Sequence, residues 1–109
     1  SIKPEQTVLE AIEIMKKYDI ENIPVFSGDV NTGAISESGL FDKIFNNSDV
    51  KMQTVASVME KAYPEVAFDT PVERLSSFIN KENGAVLSKD ESGSYHIVTK
   101  YDIIQSLSK

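Results

Sequence analysis

Cysteine is absent from this chain of 109 residues, which excludes disulfides, thiolate nucleophiles and Cys-based metal sites. Histidine occurs once, at His96, so a His-rich metal site is impossible and any His-dependent triad would have to use that residue. No apolar run approaches the roughly 20 residues of a membrane span, and no signal peptide is visible. Positive charge is scarce, with 11 Lys plus Arg against 17 Asp plus Glu and a net charge of -6. The lysines are scattered and form no basic stripe, so neither nucleic acid nor an anionic membrane is an expected partner. Gly28 and Gly93 read as turns, because no Gly-rich loop leads into a helix through Lys-Ser or Lys-Thr.

What is present is ordinary for a globular protein: 40% apolar and 26% charged residues. The length fits one compact domain or two very small ones sharing a core. The chain opens on Ser1 rather than Met, as a fragment or a processed chain would. The lack of Cys is compatible with a reducing compartment, and a cytoplasmic location is expected.

The chain repeats itself. Thr7-Val8-Leu9-Glu10 answers Thr70-Pro71-Val72-Glu73, and Gly33 through Leu40 answers His96 through Ile103, both at an offset of 63. Between them Ile23-Pro24-Val25-Phe26 answers Gly84-Ala85-Val86-Leu87. Each unit opens with Thr-x-x-Glu, a capping box in which hydroxyl and carboxylate satisfy free N–H groups at a helix start. Pro71 is expected at the first helical position, where its missing N–H costs nothing. Val8, Ile12 and Met15, then Val72, Leu75, Phe78 and Ile79, follow at helical spacing. The first helix is expected to end before Asp19, the second near Asn83-Gly84.

Two short strands follow in each unit, Pro24–Phe26 with Gly33–Ile35 and Ala85–Leu87 with Tyr95–Val98, joined by Gly and Asp turn chemistry. A second helix comes next, Ser38 to Phe45 and Lys100 to Leu107. Val66-Ala67-Phe68 reads as the opening strand of the second unit. Its counterpart in the first would lie near Ile2, mostly cut off by the start of the chain. Residues 1–47 and 58–109 are the expected units, and 48–57 the linker, where Ser48 could cap a short helix through Val55. A unit this small cannot bury both helix stripes and both sheet faces alone. The expected fold class is therefore α/β, with two strand-helix-strand-strand-helix repeats packed sheet to sheet as one compact module.

That order, repeated, resembles the CBS domain over nearly the whole chain. The most telling passages are Met15 through Val25 and Val98-Thr99-Lys100-Tyr101-Asp102. In that family a Ser or Thr followed three residues later by Asp, just after a strand, marks an adenosine site. The chain is similar in particular to the C-terminal regulatory region of cystathionine β-synthases, since Ser36-Glu37-Ser38-Gly39 lacks the Asp in the first repeat. The resemblance implies a regulatory segment without catalytic residues of its own. Its ligand would be adenosyl-containing, either S-adenosylmethionine or AMP/ATP. Its partners would be a second copy in a homodimer and the pyridoxal-phosphate catalytic domain of a parent chain, placing it in cysteine biosynthesis. It also implies a cleft lined by Ile20, Glu21, Ile23 and Pro24 from the first repeat and Ile97, Thr99, Tyr101 and Asp102 from the second.

Chemistry agrees with that assignment. Asp102 can accept from both ribose hydroxyls, and hydrogen bonds to a charged acceptor contribute roughly 1.5–3 kcal/mol each. Thr99 stands at the start of the last helix, where unpaired N–H groups point outward. Gly39, at the place of Asp102 in the first repeat, has no side chain to hold ribose, so one adenosyl site per chain is expected. Thr99-x-x-Asp102 is equally a capping box, contributing about 1 kcal/mol of helix stability. Other residues read more plainly. His96 is expected to be a half-exposed strand residue without a partner, Met15, Met52 and Met59 packing side chains, and Glu10 with Glu13 a solvated helix face.

Overall fold

Thr7 begins the first helix as its capping box requires. Its hydroxyl accepts from the Glu10 N–H at 3.2 Å, and the Glu10 carboxylate accepts from the Thr7 N–H at 3.4 Å. Helix α1 (Val8–Tyr18) buries Val8, Ala11 and Met15 along one stripe. Asp19 ends it in the left-handed conformation at φ 52°, a region that Asp tolerates better than most residues. The Asp19 and Ile20 N–H groups both bond the Met15 carbonyl, closing the helix C-terminus.

This computed structural model describes residues 1–80 and 83–107, and the chain divides into two units, Ser1–Ala62 and Tyr63–Lys109. In the first, β1 (Asn22–Ser27) turns at Gly28, φ 62°, into antiparallel β2 (Val30–Ser36), with Ile23 opposite Ile35. Ile23 and Val25 point into the core, the alternation of a half-buried strand. Ile2 makes a parallel bridge to Val25 on the outer side of β1. Helix α2 (Glu37–Asn46) follows β2 without a loop.

The stretch expected as a linker carries a 3-10 helix, Ser48–Met52, and one turn of helix, α3 (Val55–Val58). Asn47, not Ser48, is the cap, its side-chain oxygen accepting from the Asp49 N–H at 3.1 Å. Val50, Val55 and Val58 are buried in one cluster with Ile2, Ile23 and Ile35, so this stretch completes the first core. Met15 and Met59 pack on that core, whereas Met52 is exposed, contrary to its expected role.

In the second unit β3 (Glu65–Ala67) is parallel to β4 (Ala85–Lys89), which is antiparallel to β5 (Tyr95–Thr99). Helix α5 (Lys100–Leu107) matches its expected span. Its partner does not. Helix α4 is the single turn Val72–Leu75, with Pro71 as an extended cap residue rather than the first helical one. The Thr70 hydroxyl donates to the Ala67 carbonyl at 2.6 Å, so the expected capping box with Glu73 does not form. Ser76 and Ser77 then donate back to the carbonyls of Glu73 and Arg74, at 2.9 and 2.7 Å. Such local bonds offer the backbone an alternative to continued helix, and turns run on to Phe78. The expected helix end at Asn83-Gly84 follows Lys81 and Glu82, which lie outside the described residues. Leu75, Val86 and Ile103 still meet in a buried cluster, flanked by Ile79 and Val98.

Candidate functional site

Thr99 is the last residue of β5, and the chain enters α5 at Lys100. The Thr99 hydroxyl accepts from the Asp102 N–H at 3.3 Å. Asp102 Oδ2 in turn accepts from the Thr99 N–H at 2.9 Å and the Thr99 hydroxyl at 3.1 Å. The capping role read from the sequence is present in this geometry. The pair caps the helix, and it does so with one carboxylate oxygen. Asp102 is exposed, and its Oδ1 makes no hydrogen bond among the described residues. A vicinal diol needs such an acceptor, oriented by its neighbours and open to solvent.

Tyr101 stands next to it, exposed, its hydroxyl accepting from the Gln105 amide at 2.7 Å. Ile97 is half-buried in β5 opposite Leu87. The first-repeat residues are less uniform. Ile20 and Glu21 follow the C-cap of α1 and open on two different clefts of the first unit. Ile20 lines a mixed one of about 350 Å³, with Ile12, Met15, Phe41 and Ile44 beside charged Lys16, Asp19 and Glu37. Glu21 lines one of about 400 Å³ with Ser36, Glu37 and Asp42, and no Lys or Arg borders it. The Glu21 carbonyl is taken by the Glu37 N–H at 2.8 Å. Pro24 is half-buried, its carbonyl accepting from the Ile2 N–H at 3.1 Å. Ile23 is fully buried in the first core, so its side chain lines no open cleft and only its backbone edge could.

Two further arrangements escaped the sequence. The Ser36 hydroxyl caps α2 by accepting from the Gly39 N–H at 3.1 Å, as Thr99 does for Asp102. It also donates to Glu60 Oε1 at 3.0 Å, a carboxylate 24 residues away. His96, the half-exposed strand residue expected, also bonds Asp90 Oδ2 through Nε2 at 2.7 Å across the β4–β5 turn, its side chain 53% exposed. The Ser92 hydroxyl, then the His96 ring, hold the Asp90 carboxyl far below the usual carboxylate range, and the Ser94 and Ser92 N–H groups add to them. The signal available beforehand was Asp-x-Ser-x-Ser, a turn in which Asp gathers N–H donors. Among the described residues, no cluster of three His, Asp or Glu could hold a metal ion, and no helix is long and apolar enough to cross a membrane.

A family model described as CBS domain matches residues 1–46, the first unit through the end of α2. Solved CBS-domain structures match nearly the whole chain. The CBS-domain containing protein ATU1752 of Agrobacterium tumefaciens is 16% identical at a TM-score of 0.84, covering 98% of this chain and 82% of its own. The CBS-domain protein NE2398 is 17% identical at 0.85, covering 100% and 87%. CBSX2, solved in complex with AMP, is 19% identical at 0.76, covering 98% and 85%. No curated protein matches the chain. At these identities the likeness establishes the fold: an α/β chain of helices and two sheets, built as CBS-domain proteins are.

Proposed function

We propose that this chain is a regulatory CBS module of two repeats, 1–47 and 58–109 joined by 48–57, that binds one adenosyl ligand through Thr99 and Asp102. The observation that carries the reading is the carboxylate of exposed Asp102, fixed through Oδ2 while Oδ1 makes no hydrogen bond among the described residues. Ribose hydroxyls suit that oxygen, Ile97 and Tyr101 belong to the same unit, and Ile20, Glu21 and Pro24 are the contacts that the family resemblance adds. The AMP bound by CBSX2 supports an adenosine ligand in this fold.

S-adenosylmethionine is the ligand we favour, for an electrostatic reason. Glu21 shares its cleft with Glu37 and Asp42. ATP would bring several negative charges toward these groups. A like-charge pair at roughly 4 Å and an effective dielectric near 20 costs about 4 kcal/mol. A sulfonium and an amino group bring positive charge instead, and we place the ligands in the order S-adenosylmethionine, AMP, ATP. On this reading the module controls a cystathionine β-synthase-like pyridoxal-phosphate enzyme of cytoplasmic cysteine biosynthesis, as part of the same parent chain, and performs no chemistry itself. Competition calorimetry at fixed ionic strength tests the order. Glu21→Gln should weaken only the cationic ligand, and ATP binding tighter than S-adenosylmethionine would reverse the assignment.

A second reading, a ligand-free assembly module, is favoured by the exposed apolar side chains of α2 and α5. Phe41 and Phe45 stack at 6.0 Å between ring centres on the α2 surface, and Ile104 and Leu107 are exposed on α5. The two readings agree on a homodimer through these helices. They part on whether the Thr99–Asp102 pair ever takes a ligand.

A further inference from the structure

Two glycines divide the two repeats. Gly33 and Gly39 occupy the positions that His96 and Asp102 hold 63 residues later. In the first unit both glycines face the Met59-Glu60 segment. The Glu60 backbone forms a bridge with Ala34, Ala34 N–H to Glu60 carbonyl at 3.0 Å and Glu60 N–H to Ala34 carbonyl at 2.8 Å. A Cβ on Gly33 would stand 2.6 Å from the Met59 sulfur and 3.0 Å from the Glu60 carbonyl. A Cβ on Gly39 would overlap Glu60 Oε1 itself. Neither glycine has a positive φ, so close approach, not backbone conformation, is what requires it.

We propose that Glu60 is a built-in occupant of the first repeat, its carboxylate filling the place that position 39 leaves empty and closing that Ser36 hydroxyl and helix start to ligand. Ser36, Gly39 and Glu60 reproduce with two chain segments what Thr99 and Asp102 make with one. In the second unit the Thr hydroxyl donates to Asp102 Oδ2 at 3.1 Å. In the first the Ser hydroxyl donates to Glu60 Oε1 at 3.0 Å. The difference is in what holds the carboxylate. Asp102 sits on the helix it caps. Glu60 arrives from outside the helix, anchored by two backbone bonds, and lies in the volume a ligand-binding side chain at position 39 would need. The plug stands on these contacts, whereas what it excludes rests on the adenosyl reading above.

Amide exchange by NMR and AMP titration separate the two. Glu60→Ala should speed exchange at the Gly39 N–H, by up to the roughly fivefold that outright loss of a helix cap would give, because the Ser36 hydroxyl that accepts from it loses the carboxylate that orients it, with Glu60→Gln falling between. Wild type and Glu60→Ala should each bind one AMP per chain. Gly39→Asp combined with Glu60→Ala rebuilds the second unit's arrangement and should bind two. Unchanged Gly39 exchange in Glu60→Ala would overturn the plug. So would a wild type that binds two AMP and drops to one in Glu60→Ala, since Glu60 would then be a ligand carboxylate. A double variant that still binds one would show that Glu60 is not what closes the first repeat. If no variant binds AMP, the adenosyl reading falls, and the exchange result still decides whether Glu60 is the occupant.

Discussion

Ser36 and Thr99 stand at equivalent ends of equivalent strands, and each caps the helix that follows it with its hydroxyl. Their surroundings differ in one group. Thr99 finds its carboxylate three residues ahead in Asp102, whereas Ser36 finds Glu60 across 24 residues. Two copies of one plan have thus reached similar local hydrogen bonding by different routes, and they differ in where the carboxylate comes from: the capped helix itself in one, a distant segment in the other. A helix cap and a diol acceptor need the same atoms. Which of the two a repeat provides depends on which chain segment supplies the carboxylate and what volume it fills beside the helix start.

The largest effect that can sharpen this comparison is in the cores. Ile23 and Ile97 were both placed by resemblance in the ligand cleft, yet Ile23 is fully buried and Ile97 is half-buried. Ile23→Ala should cost about 2–5 kcal/mol and Ile97→Ala clearly less, by urea denaturation followed by circular dichroism. Equal losses would mean that the first unit's core is not as tightly packed around β1 as the structure has it.

Next in size is the glycine that admits Glu60. Gly39→Ala should cost about 0.5–1.5 kcal/mol, because its Cβ would push the Glu60 carboxylate off the Ser36 hydroxyl and so remove that hydrogen bond. In a Glu60→Ala background most of that cost should vanish, a coupling that a double-mutant cycle reads directly. Additive losses would break the link between the two residues.

Much of this was readable in the chain, and the limits were physical. The boxes at Thr7 and Thr99 involve residues three apart, and both formed. The box at Thr70 had the same residues and failed, because a carbonyl three residues back offered its hydroxyl a nearer partner. Helix α4 stopped after one turn for a similar reason, its Ser76 and Ser77 hydroxyls turning back onto the backbone. Strands β1, β2, β4 and β5 followed their apolar runs closely, since burial on one face fixes register. What no local pattern could give was the meeting of distant groups. The absence of Asp at position 39 was visible, but not that Glu60 takes its place. Nor was it visible that the presumed linker carries Val50 and Val55 into the first core.

A smaller effect contrasts one carboxylate from each unit under acid. Hydrogen bonds from Ser92 and His96 lower the Asp90 pKa, and the Gln6 amide, then the Thr7 N–H, lower that of Glu10. A carboxyl whose folded pKa lies below its unfolded value stabilises the fold above the unfolded pKa. That stability is lost as pH falls through the range below about 4. Asp90→Asn should therefore flatten the acid limb of a pH–stability curve measured by urea midpoints between pH 5 and pH 2, on the order of the range where carboxylates titrate. Glu10→Gln should flatten it less. An unchanged acid limb in Asp90→Asn would remove the β4–β5 turn from the account. The least effect on stability is expected at Phe45, 80% exposed on α2. Phe45→Ser should change stability by less than about 0.5 kcal/mol while lowering the mass seen by light scattering at high concentration. An unaltered mass would place self-association elsewhere.

The central claim, that the second repeat holds an adenosyl ligand through Asp102 while the first does not, is tested most directly by isothermal titration of wild type and Asp102→Ala with S-adenosylmethionine and AMP. The account predicts one ligand per wild-type chain and an affinity at least about tenfold weaker in Asp102→Ala, the equivalent of one charged hydrogen bond. Equal affinity in the two proteins, or two equivalent sites in the wild type, would contradict it.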